Sequence, residues 1–415
     1  MNSNCFSLPA KNLLLCAILT MFTLSLSAQL QVPKDTLLKP AASKPWYESI
    51  NLRGYVQVRY NRLLETNANL KCEQCDRSWG DGGGFFLRRI RLIFSGNIHP
   101  QVYFYLQPDL ASSAATDNLH FAQIRDAYFD VSLDKKNEYR FRLGQSKIPF
   151  GFENMQSSQN RLPLDRNDAL NSPLSNERDL GVFFYYAPNK VRKLFASLVK
   201  DGLKGSGDYG VFAFGVYNGQ TANKPEGNNS PHIVSRISYP FEVKNQIIEV
   251  SLQGYTGTFA IPTTQISDAV KVATTTDRVY TDKRVAASFV LYPKPFGIQA
   301  EYNVGKGPEF NKLTNAIETQ NLKGGYATVS YMQKVGKQIF IPFLRYQYYD
   351  GGKKHETDAR SYEVKEFELA CEWQPNPNFE LVAMYTMSNR RFEDFRRKEN
   401  LQKGNLLRLQ AQLNF

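Results

Sequence analysis

The chain has 415 residues, 51 Lys and Arg against 39 Asp and Glu, a formal charge of +12, and 13% aromatic residues, among them 28 Phe and 23 Tyr. Mean hydropathy is −0.43, and beyond the N-terminus no stretch of 18 apolar residues occurs, which excludes further helical membrane spans. A basic balance of this size suits nucleic acid or an anionic surface, and the N-terminal segment decides between them.

Lys11, the apolar run of residues 13–26 and the small-x-small end Ser25-Leu-Ser-Ala28 form a secretory signal, with cleavage expected after Ala28. The run is short for a membrane anchor, and no Cys stands at the cleavage point to carry lipid. Residues 1–28 therefore read as a signal peptide, 29–49, with Pro33, Pro40 and Pro45, as a periplasmic lead-in, and 50–415 as one folded unit. Removing 28 of 415 residues leaves 387 and, with Lys11 gone, a charge of +11. Export removes nucleic acid as a partner and leaves a basic interior or anionic membrane lipid, including lipopolysaccharide.

From residue 50 onward, segments of alternating polarity recur at 50–62, 85–98, 101–109, 122–133, 137–145, 180–187, 209–218, 231–240, 246–257, 283–293, 296–305, 323–334, 338–349, 361–373, 378–389 and 404–415. Period-2 alternation marks strands with one apolar and one polar face. Connections after odd-numbered segments are long and those after even-numbered ones short, the exception being 188–208. This sorting predicts an all-β fold, a transmembrane antiparallel β-barrel of sixteen strands, with loops free to grow on one side and tight turns on the other. A propeller would show a four-strand repeat, and a sandwich would not sort its loops.

The first segment sets Leu52, Gly54, Val56, Val58 and Tyr60 against Arg53, Tyr55, Gln57, Arg59 and Asn61. The second turns Arg89 and Arg91 away from Ile90, Leu92 and Phe94, and the fifth turns Arg140 and Arg142 away from Tyr139, Phe141 and Leu143. An Arg facing the lipid midplane costs about 2–4 kcal/mol, so these arginines belong in a hydrated lumen. Glu249, Glu301, Glu366, Glu368 and Glu372 fall on inward faces of later strands, which predicts a basic arc opposite an acidic one. The alternative is that these charges pair among themselves.

The first long connection holds Cys72 and Cys75. In an oxidising envelope a local disulfide is their expected state; metal binding would need two more ligands, and only Cys371 and four scattered His remain. His99, His120, His232 and His355 have no Ser or acid partner at a recognisable spacing, and no GxSxG occurs, so an outer-membrane barrel enzyme is a remote alternative and no catalytic residue, metal or cofactor is assigned. The third long connection, 146–179, is the longest, and a loop of that length is functional or disordered. Phe150, Phe152, Leu162, Leu164 and Leu170 argue that it packs. The last segment alternates Leu407, Leu409, Ala411, Leu413 and Phe415 against Arg408, Gln410, Gln412 and Asn414 and ends on Phe415, like the closing strand of an outer-membrane barrel.

Four stretches together give a more specific likeness: Leu52-Arg-Gly-Tyr55, Leu87-Arg-Arg-Ile-Arg-Leu92, Ile124-Arg-Asp-Ala-Tyr128 and Leu143-Gly-Gln-Ser-Lys-Ile-Pro-Phe-Gly151. In order and spacing the chain resembles the phosphate-selective porin O/P family. That resemblance implies a sixteen-stranded, trimeric channel of the outer membrane for small anions such as phosphate, with the long third loop folded into the lumen. It also implies an arginine ladder, which Arg53, Arg59, Arg89, Arg91, Arg140, Arg142 and Lys147 fit here. Phe150, Glu153, Arg161, Arg166 and Arg178 are the matching residues of the constriction loop. Residues 146–179 hold four basic groups and the five acids Glu153, Asp165, Asp168, Glu177 and Asp179, whereas a selective eyelet lined by cations should be net positive. The composition therefore predicts a broad porin with weak anion preference, the alternative being a plugged structural or adhesive barrel.

Overall fold

A computed structural model describes residues 45–64, 67, 84–111, 121–175, 177–272 and 278–415. The signal, most of the lead-in, and the Cys72 and Cys75 pair with its expected disulfide lie outside the described residues. The chain divides into two units, Met1–Pro45 and Trp46–Phe415, of which the second is the barrel. Its wall strands are β1 Asn51–Leu63, β2 Gly84–His99, β3 Val102–Ala111, β4 Phe121–Ser132, β5 Tyr139–Lys147, β6 Arg178–Tyr186, β7 Phe212–Tyr217 and β8 His232–Val243. They continue as β9 Gln246–Ala260, β10 Val279–Leu291, β11 Phe296–Asn311, β12 Ala316–Tyr331, β13 Gln338–Gly352, β14 Ser361–Asn376, β15 Phe379–Glu393 and β16 Leu401–Asn414.

Each strand pairs antiparallel with the next, and β16 returns to β1. Closure leaves no row of unpaired backbone groups, the condition for a sheet in a medium without water. Two short strands extend the rims: Lys271–Val272 lies parallel to β12, and Gln333–Val335 prolongs β12 against β13. The predicted alternation is plain in β10, where Val285 and Phe289 are exposed outside while Arg284, Ala286, Ser288 and Val290 are buried inside.

The seam depends on one close approach. Gly54 and Phe415 exchange backbone hydrogen bonds of 2.7 and 3.0 Å. A Cβ on Gly54 would lie 2.5 Å from the Arg91 carbonyl oxygen and 2.7 Å from Phe415 Cζ. Overpacking of this kind costs typically about 1–3 kcal/mol, here at the closing pair of the barrel. Gly54→Val is expected to reduce the yield of heat-modifiable, folded barrel in unheated gels; an unchanged yield would show that the seam tolerates the shift.

The structure corrects three expectations about the fold. The predicted loop 306–322 is mostly strand, because β11 and β12 stay paired through Asn311 and Ala316 and leave only 312–315 as the turn. That hairpin has polar residues on both faces, so its alternation fades, although Phe310 and Ile317 still pack inside with Phe259, Ile261 and Tyr280.

The anomalous connection 188–208 holds a helix, α1 Asn189–Lys200. Val191, Phe195 and Leu198 are buried, spaced i, i+4, i+7 as one helical face requires. At the N-terminus, Asn189 N donates to Glu138 Oε1 at 2.8 Å. At the other end Gly202 takes a positive φ of 70° and Leu203 N donates to Leu198 O at 3.0 Å, a glycine-terminated helix end.

The third correction concerns the lumen, which is not uniformly wet. The apolar face of α1 joins Phe152, Leu162 and Leu164 and packs on the inward residues Ile247, Val290, Ile341, Phe343, Val382 and Met384. Each buried side chain of this size contributes about 1.5–3 kcal/mol, which explains why a helix from a short-turn position sits inside the barrel. Phe195→Asp is expected to expel it. Limited proteolysis of the detergent-solubilised barrel should then cut within 189–211, and protection equal to that of the parent would argue against the packing.

Candidate pore and its charged lining

The loop 148–177 leaves β5 and crosses the inside of the barrel before joining β6. It meets β1 through Tyr55 Oη and Ser158 Oγ (2.6 Å), β16 through Gln412 Nε2 donating to Gln159 O (3.2 Å), and β11 through Phe152 N donating to Glu301 Oε2 (2.6 Å). Two single-turn helices stiffen it, α2 Phe152–Met155 and α3 Asp168–Asn171. In α3 the Asn167 side chain accepts a hydrogen bond from Leu170 N at 3.1 Å, an N-cap that satisfies one free donor of the turn.

Three of the five loop acids fasten it to strands β1, β2, β13, β15 and β16. Glu153, fully buried, accepts from Arg345 at 3.0 Å and from Asn167 Nδ2 at 2.8 Å. Asp165 takes Arg59 at 2.9 Å, Arg408 at 2.8 Å and Arg88 at 3.5 Å. Asp168 takes Arg390 at 2.8 Å and pairs with Lys353. Burial alone would raise the Asp165 carboxyl, but Arg59, Arg88 and Arg408 outweigh it and hold the group well below the usual carboxylate range. Asp179, the fifth acid, sits in β6 and accepts from the backbone of Leu180, Gly219 and Thr221.

Glu177 is shared by Lys147 (3.6 Å), Arg161 (3.0 Å), Arg166 (3.0 Å) and Arg178 (2.5 Å). Nearby, Asp109 takes Arg91 at 3.0 Å and Arg125 at 3.5 Å, while Arg178 reaches Asp126 at 2.9 Å. Arg89 stands apart. It is 6% exposed, donates to Gln57 Oε1 at 2.8 Å, and forms no ion pair among the described residues. Its electrostatic neighbours include Arg59, Arg88 and Arg91.

The remaining ladder positions lie toward the short-turn end. Arg142 makes a forked pair with Asp130, 2.7 and 2.9 Å, Arg140 pairs with Asp208 at 2.8 Å, and Arg53 is exposed at the mouth. Arg53, Arg140, Arg142, Lys147 and Arg178 line one cavity, while Arg59, Arg89 and Arg91 lie outside its lining, on strands the loop touches. Phe150 packs edge-on against Tyr255, 5.0 Å between ring centres, so it wedges the loop against the wall.

The expected basic and acidic arcs are not separate. Glu368 pairs with Arg345 and Arg408, Glu366 with Arg390, and Glu249 with Arg236, while Asp109, Asp126 and Asp130 stand among the arginines of the other half. A charge removed from water needs a local partner, since an unpaired one costs several kcal/mol. Arg345, Arg390, Arg125, Asp109 and Asp130 were not singled out from sequence. Arg125 lay inside a recognised motif, and the others showed only their inward parity.

The phosphate-selective porin O and P family matches residues 67–415. No curated protein matches the sequence. Among solved structures, the outer membrane channel DcaP of Acinetobacter baumannii is 15% identical with a TM-score of 0.53, the alignment covering 88% of this chain and 97% of that one. OmpF of Salmonella typhi, solved in complex with daunomycin, is 10% identical with a TM-score of 0.52 over 88% and 97% of the two chains. At these identities the likeness bears on the fold, a closed antiparallel barrel. The family match, running from the first long connection to the final residue, goes further: the chain belongs to the phosphate-selective porin O and P family and is an outer-membrane channel.

Proposed function

We propose that the protein is a passive diffusion channel for small hydrophilic solutes that prefers anions such as phosphate. Arg89 carries the reading. A buried guanidinium that, among the described residues, has Gln57 and no carboxylate as its partner and stands among other arginines is best stabilised by an anion from solution, and rings of cations at a narrow point are how anion pores select. The near-neutral composition of the loop does not weaken this. Glu153, Asp165 and Asp168 are engaged at the latch, and Glu177 is shared among four cations. Flow follows the solute gradient and needs no cofactor or covalent step.

The reading extends to export through the signal 1–28, contact of the outer wall with lipid and lipopolysaccharide, and assembly as a homotrimer; the family resemblance supports the last. Arg161 and Arg166 act on this view as loop cations held by Glu177.

Planar bilayer recording with phosphate titrated against chloride current tests it. Saturable block by phosphate supports an anion site, and linear unblocked current supports a general porin. A second reading, a plugged surface barrel, is favoured by the seating of α1 in the lumen, and an absence of conductance would select it.

A further inference from the structure

Below the loop, toward the short-turn end, lies a cavity of about 500 Å³, within the range of about 300–1,000 Å³ typical of small-molecule sites. Inorganic phosphate alone leaves most of it unexplained. The wall strands supply Tyr103, Tyr105 and Tyr128, and the segment after α1 supplies Tyr209 and Asp208. All four tyrosines are half-buried. Tyr105 and Tyr128 stack with ring centres 5.1 Å apart and 10° between planes, and the Arg142 guanidinium lies 3.9 Å over Tyr128. The result is a built aromatic platform, held rigid at one end by the Arg142–Asp130 fork.

The polar lining is of a particular kind. Arg142 is matched by Asp130, and Asp208 takes both Arg140 at 2.8 Å and Arg192 at 2.7 Å. Matched pairs present donors and acceptors side by side. An inorganic oxyanion offers mainly acceptors and would meet Asp126, Asp130 and Asp208. A hydroxyl group both donates and accepts, and a ring with several hydroxyls has apolar C–H faces that pack on aromatic rings. At the mouth, Arg53 forms no ion pair among the described residues and is available to one acidic group.

We propose that this cavity is a subsite for a sugar carrying one acidic group, a phosphorylated or carboxylated monosaccharide. The ring stacks on the Tyr105–Tyr128 platform, the hydroxyls meet the Arg–Asp pairs, and the acid meets Arg53. The proposal rests on the channel reading for the solute's route and deepens it by naming a class of solute.

The test adds glucose 6-phosphate, glucuronate, glucose or inorganic phosphate to the short-turn side of single channels, scoring block as a fraction of each variant's own open current. Isothermal titration of the detergent-solubilised protein with the same compounds runs in parallel. Glucose 6-phosphate and glucuronate are expected to half-block at concentrations about tenfold lower than glucose or phosphate. Tyr105→Ala should raise the half-block concentration of the two sugar acids about fivefold or more, with Tyr105→Phe restoring it, while that of phosphate moves little. Equal half-block by glucose 6-phosphate and phosphate, or no response to Tyr105→Ala, overturns the subsite. Binding of the sugar acids without any conductance overturns the channel reading and leaves the subsite standing. Conductance without sugar-acid binding does the reverse.

Discussion

Replacing Arg89 with Glu is expected to move the reversal potential in a KCl gradient from the anion side to the cation side. The residue suits the experiment because it forms no ion pair among the described residues, so its loss strands no carboxylate among them. Arg91, by contrast, is paired with Asp109, and its removal would confound selectivity with folding. A unit charge about 4 Å from a permeating ion is worth roughly 1–4 kcal/mol between water-like and protein-surface dielectrics. The two-unit change is therefore expected to alter the permeability ratio by about tenfold or more, with Arg89→Gln intermediate. Raising the salt should shrink the difference, since mobile ions screen a solvated pore. A reversal potential that does not move in Arg89→Glu would remove this arginine from the selectivity account.

The double variant Glu153→Gln, Asp168→Asn is expected to undock the loop and raise single-channel conductance. Each substitution takes the loop carboxylate from buried cations that keep their other partners: Arg345 keeps Glu368 and Arg390 keeps Glu366, while Lys353 keeps Glu356. Losing a hydrogen bond between charged groups of this kind costs about 1.5–3 kcal/mol. That cost falls on the loop, because the ladder between wall strands does not use it. Larger, noisier open levels with the barrel still folded are the expected result, and unchanged levels would mean that the latch does not set the aperture.

Acid gives a parallel check. Burial raises the Asp168 pKa, but Arg390 and Lys353 outweigh it and bring it down to about 2, below the ordinary value of about 3.9. The latch then contributes in full above about pH 4 and is lost as the pH falls toward 2. Conductance of the parent channel should hold steady from about pH 7 to about pH 4 and rise only below that window. A rise near neutral pH would place the controlling group elsewhere.

Much of the wall was legible in the residues because a strand has only two faces. The parity of Arg89 and Arg91 against Ile90 and Leu92, or of Arg408 and Gln410 against Leu409 and Ala411, needs no partner to be read. Chain order supplied the rest of the barrel, since each strand pairs with its neighbour and the last must return to the first. Parity failed where both faces are polar, as in the β11–β12 hairpin. The helix α1 did carry a signal, Val191, Phe195 and Leu198 followed by Gly202. It lies where the alternation of loop lengths calls for a short turn, a position that predicts no helix.

Sequence by itself determined the class, the barrel, its seam at Phe415 and the inward set of arginines, because all of these follow from local periodicity and chain order. Only the tertiary structure decided which charges oppose which. Composition made the 146–179 loop near neutral; the fold turned Glu153, Asp165 and Asp168 toward the arginines of β1, β2, β13, β15 and β16, gathered four cations on Glu177, and left Arg89 without a carboxylate among the described residues. Pairing of buried charges depends on distances of a few ångströms between residues up to 243 apart in the chain, as for Asp165 and Arg408. No periodicity records that, and the selectivity of the pore depends on it.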